Sequence, residues 1–549
     1  MNSGDSNSSS ASSRWGAKQV LLLGLGVLIF LRMATLDIPA LVDSTEGRYA
    51  SIAEFMESRG DWITPLIPMD EGIVPYLGKP PLHFWISAGV MAVLGPDEWS
   101  SRLASFLGAL LTMACVYVLG VKFFDRGTAI AACAILGSSG LFFFLSGVCH
   151  LDLTLTAAVT LAFTGAACTL LPEQQPAHRR WGYLFFVGLA LGMLTKGPVA
   201  VMLVGGGLTL WCIARRSLSR LTRLPWVSGL ALFFVMVTPW FLLAERATPG
   251  FLHYFFVNEN FLRYVTREYG DRYGSGHVFP YGSSWWMLFS GFLPWSIPIV
   301  LLAVALRRKL ATILRAQPAV VLMLFGWGLF PPLFFTVARQ LLPAYLLPGF
   351  PAIALLIAHC LLKLPAEHNR LAAITFKTIV WFGALLSLAT VGVGLTLGAG
   401  IPSSLVALVF GVVGVWLALR GDYASPPHRI AALVLACALS YTAALLQMQR
   451  YVTERRSTKA IIETVRREAS EEHPEVAVSF GNPFSAYFYA EADPKRRLTI
   501  VRVPVAELAH SSVRHFIVKR NDLNSLPSAV RSRFDVRAEV GRWRYLVRK

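Results

Sequence analysis

Charge is scarce in this chain. Of 549 residues, 15% are charged and 55% hydrophobic, and the mean hydropathy is +0.54. That balance excludes a soluble protein of this length. Cysteine is also sparse. The seven cysteines (115, 133, 149, 168, 212, 360 and 437) sit in apolar runs or at their ends, and none falls in the last hundred residues. No disulfide framework or zinc spacing is present. The chain has no Walker sequence, Gly-rich dinucleotide turn, His-Glu-x-x-His or serine elbow, which argues against nucleotide use or a covalent serine. No Ala-x-Ala-like cleavage site follows the first apolar run, Val20 to Met33, so that run reads as a membrane segment rather than a signal peptide.

Long apolar runs are abundant. Thirteen segments, from roughly 17–36 to 430–447, read as candidate membrane spans. Leu82 to Leu94 is too short to span and reads as re-entrant or interfacial. With that segment excluded, one set of connections carries the basic residues, including Lys122/Arg126, Arg215/Arg216/Arg220/Arg223 and Arg307/Arg308/Lys309. The positive-inside rule makes those connections cytoplasmic. The other face then receives the unusual polar residues: loop 37–99, Asp152, Lys196, loop 244–285 and Arg339 to Tyr345. The polypeptide divides into a membrane domain over 1–447 and a soluble α/β domain over 448–549. The latter holds 20 Lys and Arg against 12 Asp and Glu, and thirteen spans place it in the periplasm.

Loop 37–99 is too long and too charged for a simple connection. It holds Asp43, Glu46, Arg48, Tyr49 and, before two prolines, Lys79. Lys79 is a point charge suited to a phosphate or a snorkelling interfacial lysine. Asp152 opens an apolar helix; it is either a charge favoured by the helix dipole or an intramembrane functional acid. Lys196 lies in a turn between two helices and is open to the same two readings as Lys79. In loop 244–285, Glu259, Arg263 and Arg267 recur at four-residue spacing on one helix face. They form either an intrahelical ion-pair line or a phosphate clamp. Tyr345, after Pro343, is a phosphate hydrogen-bond donor or an interfacial anchor. Carboxylates and cations gathered at bilayer level, away from the cytoplasm, suit a lipid phosphate.

These motifs resemble the GT-C membrane glycosyltransferases, in particular the protein-mannosyltransferase-like branch and its lipid A aminoarabinose transferases. The matching positions are Glu46-x-Arg48-Tyr49-Ala50, Lys79-Pro80-Pro81, Leu151-Asp152, Thr195-Lys196-Gly197, His253-Tyr254-Phe255-Phe256, Leu293-Pro294-Trp295 and Leu342-Pro343-x-Tyr345, in the right order over residues 20–350. The resemblance implies a polytopic α-helical GT-C fold in a bacterial inner membrane with its active site facing the periplasm. It also implies inverting transfer of 4-amino-4-deoxy-L-arabinose from undecaprenyl phosphate to lipid A phosphate. The partners are then a polyprenyl-phosphate sugar donor, lipid A or another anionic glycolipid, and membrane lipids, with no nucleic acid. Catalysis would fall to Glu46, Asp152 and Asp43. Substrate binding would fall to Arg48, Tyr49, Lys79, Lys196, His253, Glu259, Arg263, Arg267, Arg339 and Tyr345. No cofactor is assigned, although the carboxylates are compatible with a divalent metal ion. Two departures stand out. Thr45 occupies the place where the family usually has Asp, with Asp43 two residues earlier. Leu341 replaces one of the lysines before Leu-Pro-x-Tyr, while Arg339 keeps the other charge. A hydroxyl acceptor on a protein, or a transporter of a lipid-linked sugar, are the competing readings.

Overall fold

The computed structural model describes residues 16–549 except 70–71, 173–178, 264–265, 267–272, 274–276, 424, 470, 482 and 494–495. The chain is a polytopic helical membrane protein with a small sheet-bearing tail. Among the described residues, eight helices are long and apolar enough to cross a membrane. A ninth counts if Ser283–Gly291 and Ser296–Ala305, bent by 105° at their junction, form one span. The expected thirteen is not reached by this measure, because several apolar runs are short or broken. Of the thirteen, the run at Arg126–Gly137 forms a helix of 12 residues and that at Val199–Arg215 one of 17. At about 1.5 Å per residue such helices fall short of a hydrocarbon core of about 30 Å. Residues 127–146, one of the thirteen candidate spans, break at Ser138-Ser139 before a second helix, Gly140–Leu145. The short length of Leu82–Leu94 is as expected from the sequence.

Helix Leu151–Leu170 lies at the centre, with nearly every residue buried. It contains five threonines between 154 and 169 without open polar ends. Thr156, Thr160 and Thr164 each donate to the carbonyl four residues back, at 2.7, 2.6 and 2.8 Å. That local bond lets hydroxyls sit in an apolar core. Helix Arg179–Lys196 packs closely along it. A Cβ on Gly188 would lie 2.4 Å from the Ala162 nitrogen, so only glycine permits this approach. Glu98–Phe123 packs on another side, started by Asp97, whose side chain accepts from Ser100 N at 2.6 Å.

The tail begins where helix Pro426–Arg455 ends, so that helix runs past residue 447. In the first loop, β1 (Leu66–Met69) and β2 (Gly72–Pro75) form a hairpin. The tail sheet comprises β3 (Glu475–Val478), β4 (Thr499–Arg502), β5 (His515–Lys519), β6 (Phe534–Val540) and β7 (Trp543–Arg548), in the order β4-β3-β5-β7-β6. β3 runs parallel to β4 and β5, while β7 is antiparallel to β5 and β6. The short apolar runs Val476–Phe480, Leu498–Val501, Phe516–Val518 and Tyr545–Val547 read as strands from sequence and fall on β3, β4, β5 and β7; β6, an edge strand that carries Asp535, Arg537 and Glu539, lacks a continuous apolar face and has no such signal.

The tail packs on the first loop. Ile461, Phe484, Phe488 and Tyr545 share one core with Tyr49, Met56, Phe84 and Leu151. Helix Phe484–Glu491 lies against helix Thr45–Arg59. A Cβ on Gly47 would meet the Ser485 nitrogen at 2.9 Å, so the two helices touch where a side chain is missing.

Candidate active site

Two helix ends create the centre of the site. Asp152 stands in the first turn of Leu151–Leu170 and Lys196 is the last residue of Arg179–Lys196. A carboxylate is favoured at a helix N-terminus and an ammonium at a C-terminus. The close packing of the two helices brings these ends together, and Lys196 Nζ lies 2.6 Å from Asp152 Oδ1. His150, just before the helix, places Nδ1 2.8 Å from Asp152 Oδ2. Asp152 is 1% exposed. The Lys196 ammonium also sits 4.0 Å from the centroid of the Tyr345 ring, a cation–π contact.

A second charged cluster faces the first. Lys79, stiffened by Pro80 and Pro81, donates to the Gly78 carbonyl at 2.7 Å and contacts Glu259. The same Glu259 oxygen accepts from Arg263 Nη1 at 2.7 Å. Glu259 rides on a π-helix, Tyr254–Leu262, a form often found at functional sites. Burial pushes the Glu259 carboxyl up, but the charges of Lys79 and Arg263 outweigh it and hold the group below its ordinary value. Arg263 Nε donates to Gln340 at 3.4 Å.

Two adjoining cavities meet at these residues. One, of 580 Å³, has apolar walls that include Met202, Leu203, Phe256, Phe261, Phe334 and Phe335. The other, of 270 Å³, is polar and is lined by Arg48, Tyr49, Thr45, His150 and Tyr273 among others. Lys79, Lys196, Glu259, Arg263, Gln340 and Tyr345 line both. Asp152 lines the apolar cavity at its polar end. An amphiphile with an anionic head fits such a pair of spaces.

The structure thus brings together Arg48, Tyr49, Lys79, Asp152, Lys196, Glu259, Arg263 and Tyr345. Other residues read as site candidates lie elsewhere. Glu46 lines neither cavity. Its carboxylate is occupied by Arg102 and by the amides of Val42 and Cys149, both at 3.1 Å. Asp43 is likewise engaged, accepting from Ser485 N at 2.7 Å and Ser485 Oγ at 2.6 Å. These first-loop acids hold the scaffold behind the cavities because each meets buried donors from another element. His253 and Arg339 are exposed and line neither cavity; Arg339 lies over the Tyr281 ring. Arg267 lies outside the described residues. The four-residue line of charges is realised at one step, Glu259 with Arg263.

Sequence reading missed Arg102, His150, Gln340 and Tyr273 as contributors. Arg102 had a signal: it is an arginine in the opening turns of an apolar helix. Gln340 falls in the polar stretch Arg339 to Tyr345 without a pattern that marks it, and Tyr273, a polar residue in a loop, had no signal. Among the described residues, no group of three or more His, Cys, Asp or Glu could hold a metal ion.

Comparison with known proteins agrees with this architecture. Residues 26–255 match the family model "Dolichyl-phosphate-mannose-protein mannosyltransferase". The chain is 30% identical over 375 residues to a protein of Enterobacter sp. (strain 638) named undecaprenyl phosphate-alpha-4-amino-4-deoxy-L-arabinose arabinosyl transferase, covering 67% of this chain and 63% of that relative. A like-named protein of Pectobacterium carotovorum is 30% identical over 386 residues, covering 69% of this chain and 65% of the relative. The chain therefore spans somewhat under two thirds of these relatives in sequence. The fold matches the crystal structure of ArnT from Cupriavidus metallidurans bound to undecaprenyl phosphate, with a TM-score of 0.77 and 22% identity over 97% of this chain and 98% of that one. The apo form of the same protein gives a TM-score of 0.74. The resemblance to protein-mannosyltransferase-like enzymes and the GT-C-type fold read from the motifs are borne out.

Proposed function

From the family match of residues 26–255 as premise, we propose that this membrane protein is a glycosyltransferase. It moves 4-amino-4-deoxy-L-arabinose from undecaprenyl phosphate to a lipid A phosphate, with inversion, at the periplasmic face of a bacterial inner membrane. The sugar and its carrier follow the names of the relatives; the acceptor follows from the resemblance read in the sequence. The observation that carries the reading is the pairing of spaces: a polar cavity lined by Arg48, Lys79, Lys196 and Arg263 adjoins an apolar cavity walled by phenylalanines. The cations would hold the carrier phosphate, and the apolar space would hold the start of the prenyl chain.

Asp152 stands at the junction of these spaces. A lipid A phosphate is already an anion near neutral pH and needs no base to attack the anomeric carbon. Asp152 would then stabilise positive charge developing on the sugar, while Lys196 and His150 fix its carboxylate. Glu46 and Asp43 serve as scaffold in this reading. The test is transfer by the purified full chain in liposomes holding the undecaprenyl-phosphate-linked amino sugar and lipid A. Mass spectrometry should show lipid A gaining one aminoarabinose residue. Lipid A left unmodified, with a serine-containing peptide glycosylated instead, would reassign the acceptor.

A further inference from the structure

Glu259 engages two of the cations assigned above to the carrier phosphate. Its Oε1 is shared by Lys79 and Arg263, both of which line the two cavities. Its Oε2 is buried and has no hydrogen-bond partner among the described residues. Two of the cations that line the cavities therefore hold an anion that belongs to the protein. Resting on the reading above, we propose that Glu259 is a built-in competitor for the carrier phosphate that expels the spent carrier after transfer.

The chemistry calls for such a group. The donor is a phosphodiester with one negative charge. The acceptor phosphate oxygen forms a bond to the anomeric carbon, and the bond from that carbon to the carrier oxygen breaks. The electron pair of the broken bond stays on the carrier, which leaves as a phosphomonoester. Near neutral pH a monoester carries about −1.5 to −2. Lys79 and Arg263 by themselves would hold this product more tightly than the donor, and release would limit turnover. A carboxylate between the two cations opposes that retention. It also keeps them paired in the emptied site, where buried cations without a partner would be costly. Glu259 acts through Lys79 and Arg263 and is thus a positioning residue.

The experiment measures binding of a short-chain polyprenyl phosphate to the full chain in detergent, beside pre-steady-state transfer. Glu259→Gln should bind the phosphate at least about tenfold tighter than wild type. It should show a burst of one turnover followed by slow steady-state release. Glu259→Asp, which keeps the charge, should restore turnover toward wild type. A merely structural role predicts looser binding and no burst, and that result overturns the proposal. Should the variants not fold, a structure of the wild-type chain with the same phosphate reads the point directly. The Lys79–Glu259 contact should open, and its retention would overturn the proposal. Absence of wild-type binding would bring down the proposed function as well; wild-type binding and transfer with Glu259→Gln binding no tighter would bring down this inference alone.

Discussion

Glu46 and Arg102 form a buried two-point ion pair. Nε lies 2.8 Å from Oε1 and Nη2 lies 3.2 Å from Oε2. Arg102 also donates to the Leu36 carbonyl at 2.7 Å. The pair thereby ties the turn after the first helix, Ala17–Met33, to helix Thr45–Arg59, helix Glu98–Phe123 and the turn before Asp152.

Removing one member of such a pair leaves the other charged and buried. Glu46→Ala should cost about 3–5 kcal/mol and lower the thermal midpoint in detergent. Loss of transfer should track loss of folded protein. Replacing both residues, as Glu46→Gln with Arg102→Met, should be less damaging than the sum of the single changes. A Glu46→Gln protein as stable as wild type yet inactive would move Glu46 back among the catalytic groups.

Asp152 should behave in the opposite way. Asp152→Asn removes charge at the cavity edge while leaving the helix start in place. Single-turnover transfer should fall about 100-fold or more, with polyprenyl-phosphate binding unchanged or tighter because Lys196 is released. Transfer at the wild-type rate would end the catalytic assignment.

The contact between tail and first loop should weaken as pH rises. Burial pushes Asp43 up from its ordinary 3.8 to about 7, against the two donations from Ser485. Burial, with the nearby charge of Glu491, pushes Glu54 up from 4.5 to about 8. Both folded values exceed the unfolded ones, so the folded state binds more protons across this window. The contribution is full below about pH 4 and is lost as pH rises through about 7 for Asp43 and about 8 for Glu54. Hydrogen exchange of helix Phe484–Glu491 between pH 5 and 8 (roughly the window set by these shifts) should show progressively less protection. Asp43→Asn and Glu54→Gln should each flatten the profile. Protection independent of pH in wild type would refute this account.

Topology has a direct check, since all seven native cysteines are buried. A cysteine at Ser532, exposed in the tail, should react with an impermeant thiol reagent from the periplasm. One at Ser219, exposed between Arg216 and Arg220, should stay protected in intact cells. The reverse pattern would turn the molecule over and place the cavities on the cytoplasmic side.

Much of the molecule was legible from the chain itself. Apolar run length and basic loops mark a polytopic protein, because a bilayer demands uninterrupted apolar helices and cytoplasmic cations. The polar residues left over include Lys79, Asp152, Lys196, Glu259, Arg263 and Tyr345. Lys79 and Tyr345 stand out by nearby prolines, Asp152 and Lys196 by the ends of apolar runs, and Glu259 and Arg263 by their four-residue spacing on one helix face. The partner each would choose was not legible. Glu46 and Asp152 are alike in local structure, each an acid in the first turn of a helix. Tertiary packing gives Glu46 a buried arginine 56 residues away and two amides, which use up its oxygens behind the cavity. The same packing sets Asp152 against Lys196 at the cavity edge. Span count likewise escaped the sequence, since breaks such as Ser138-Ser139 depend on what neighbouring helices offer to the freed backbone. A charge announces itself in one dimension, but whether it is spent on the scaffold or left for a ligand depends on which long-range donors reach it.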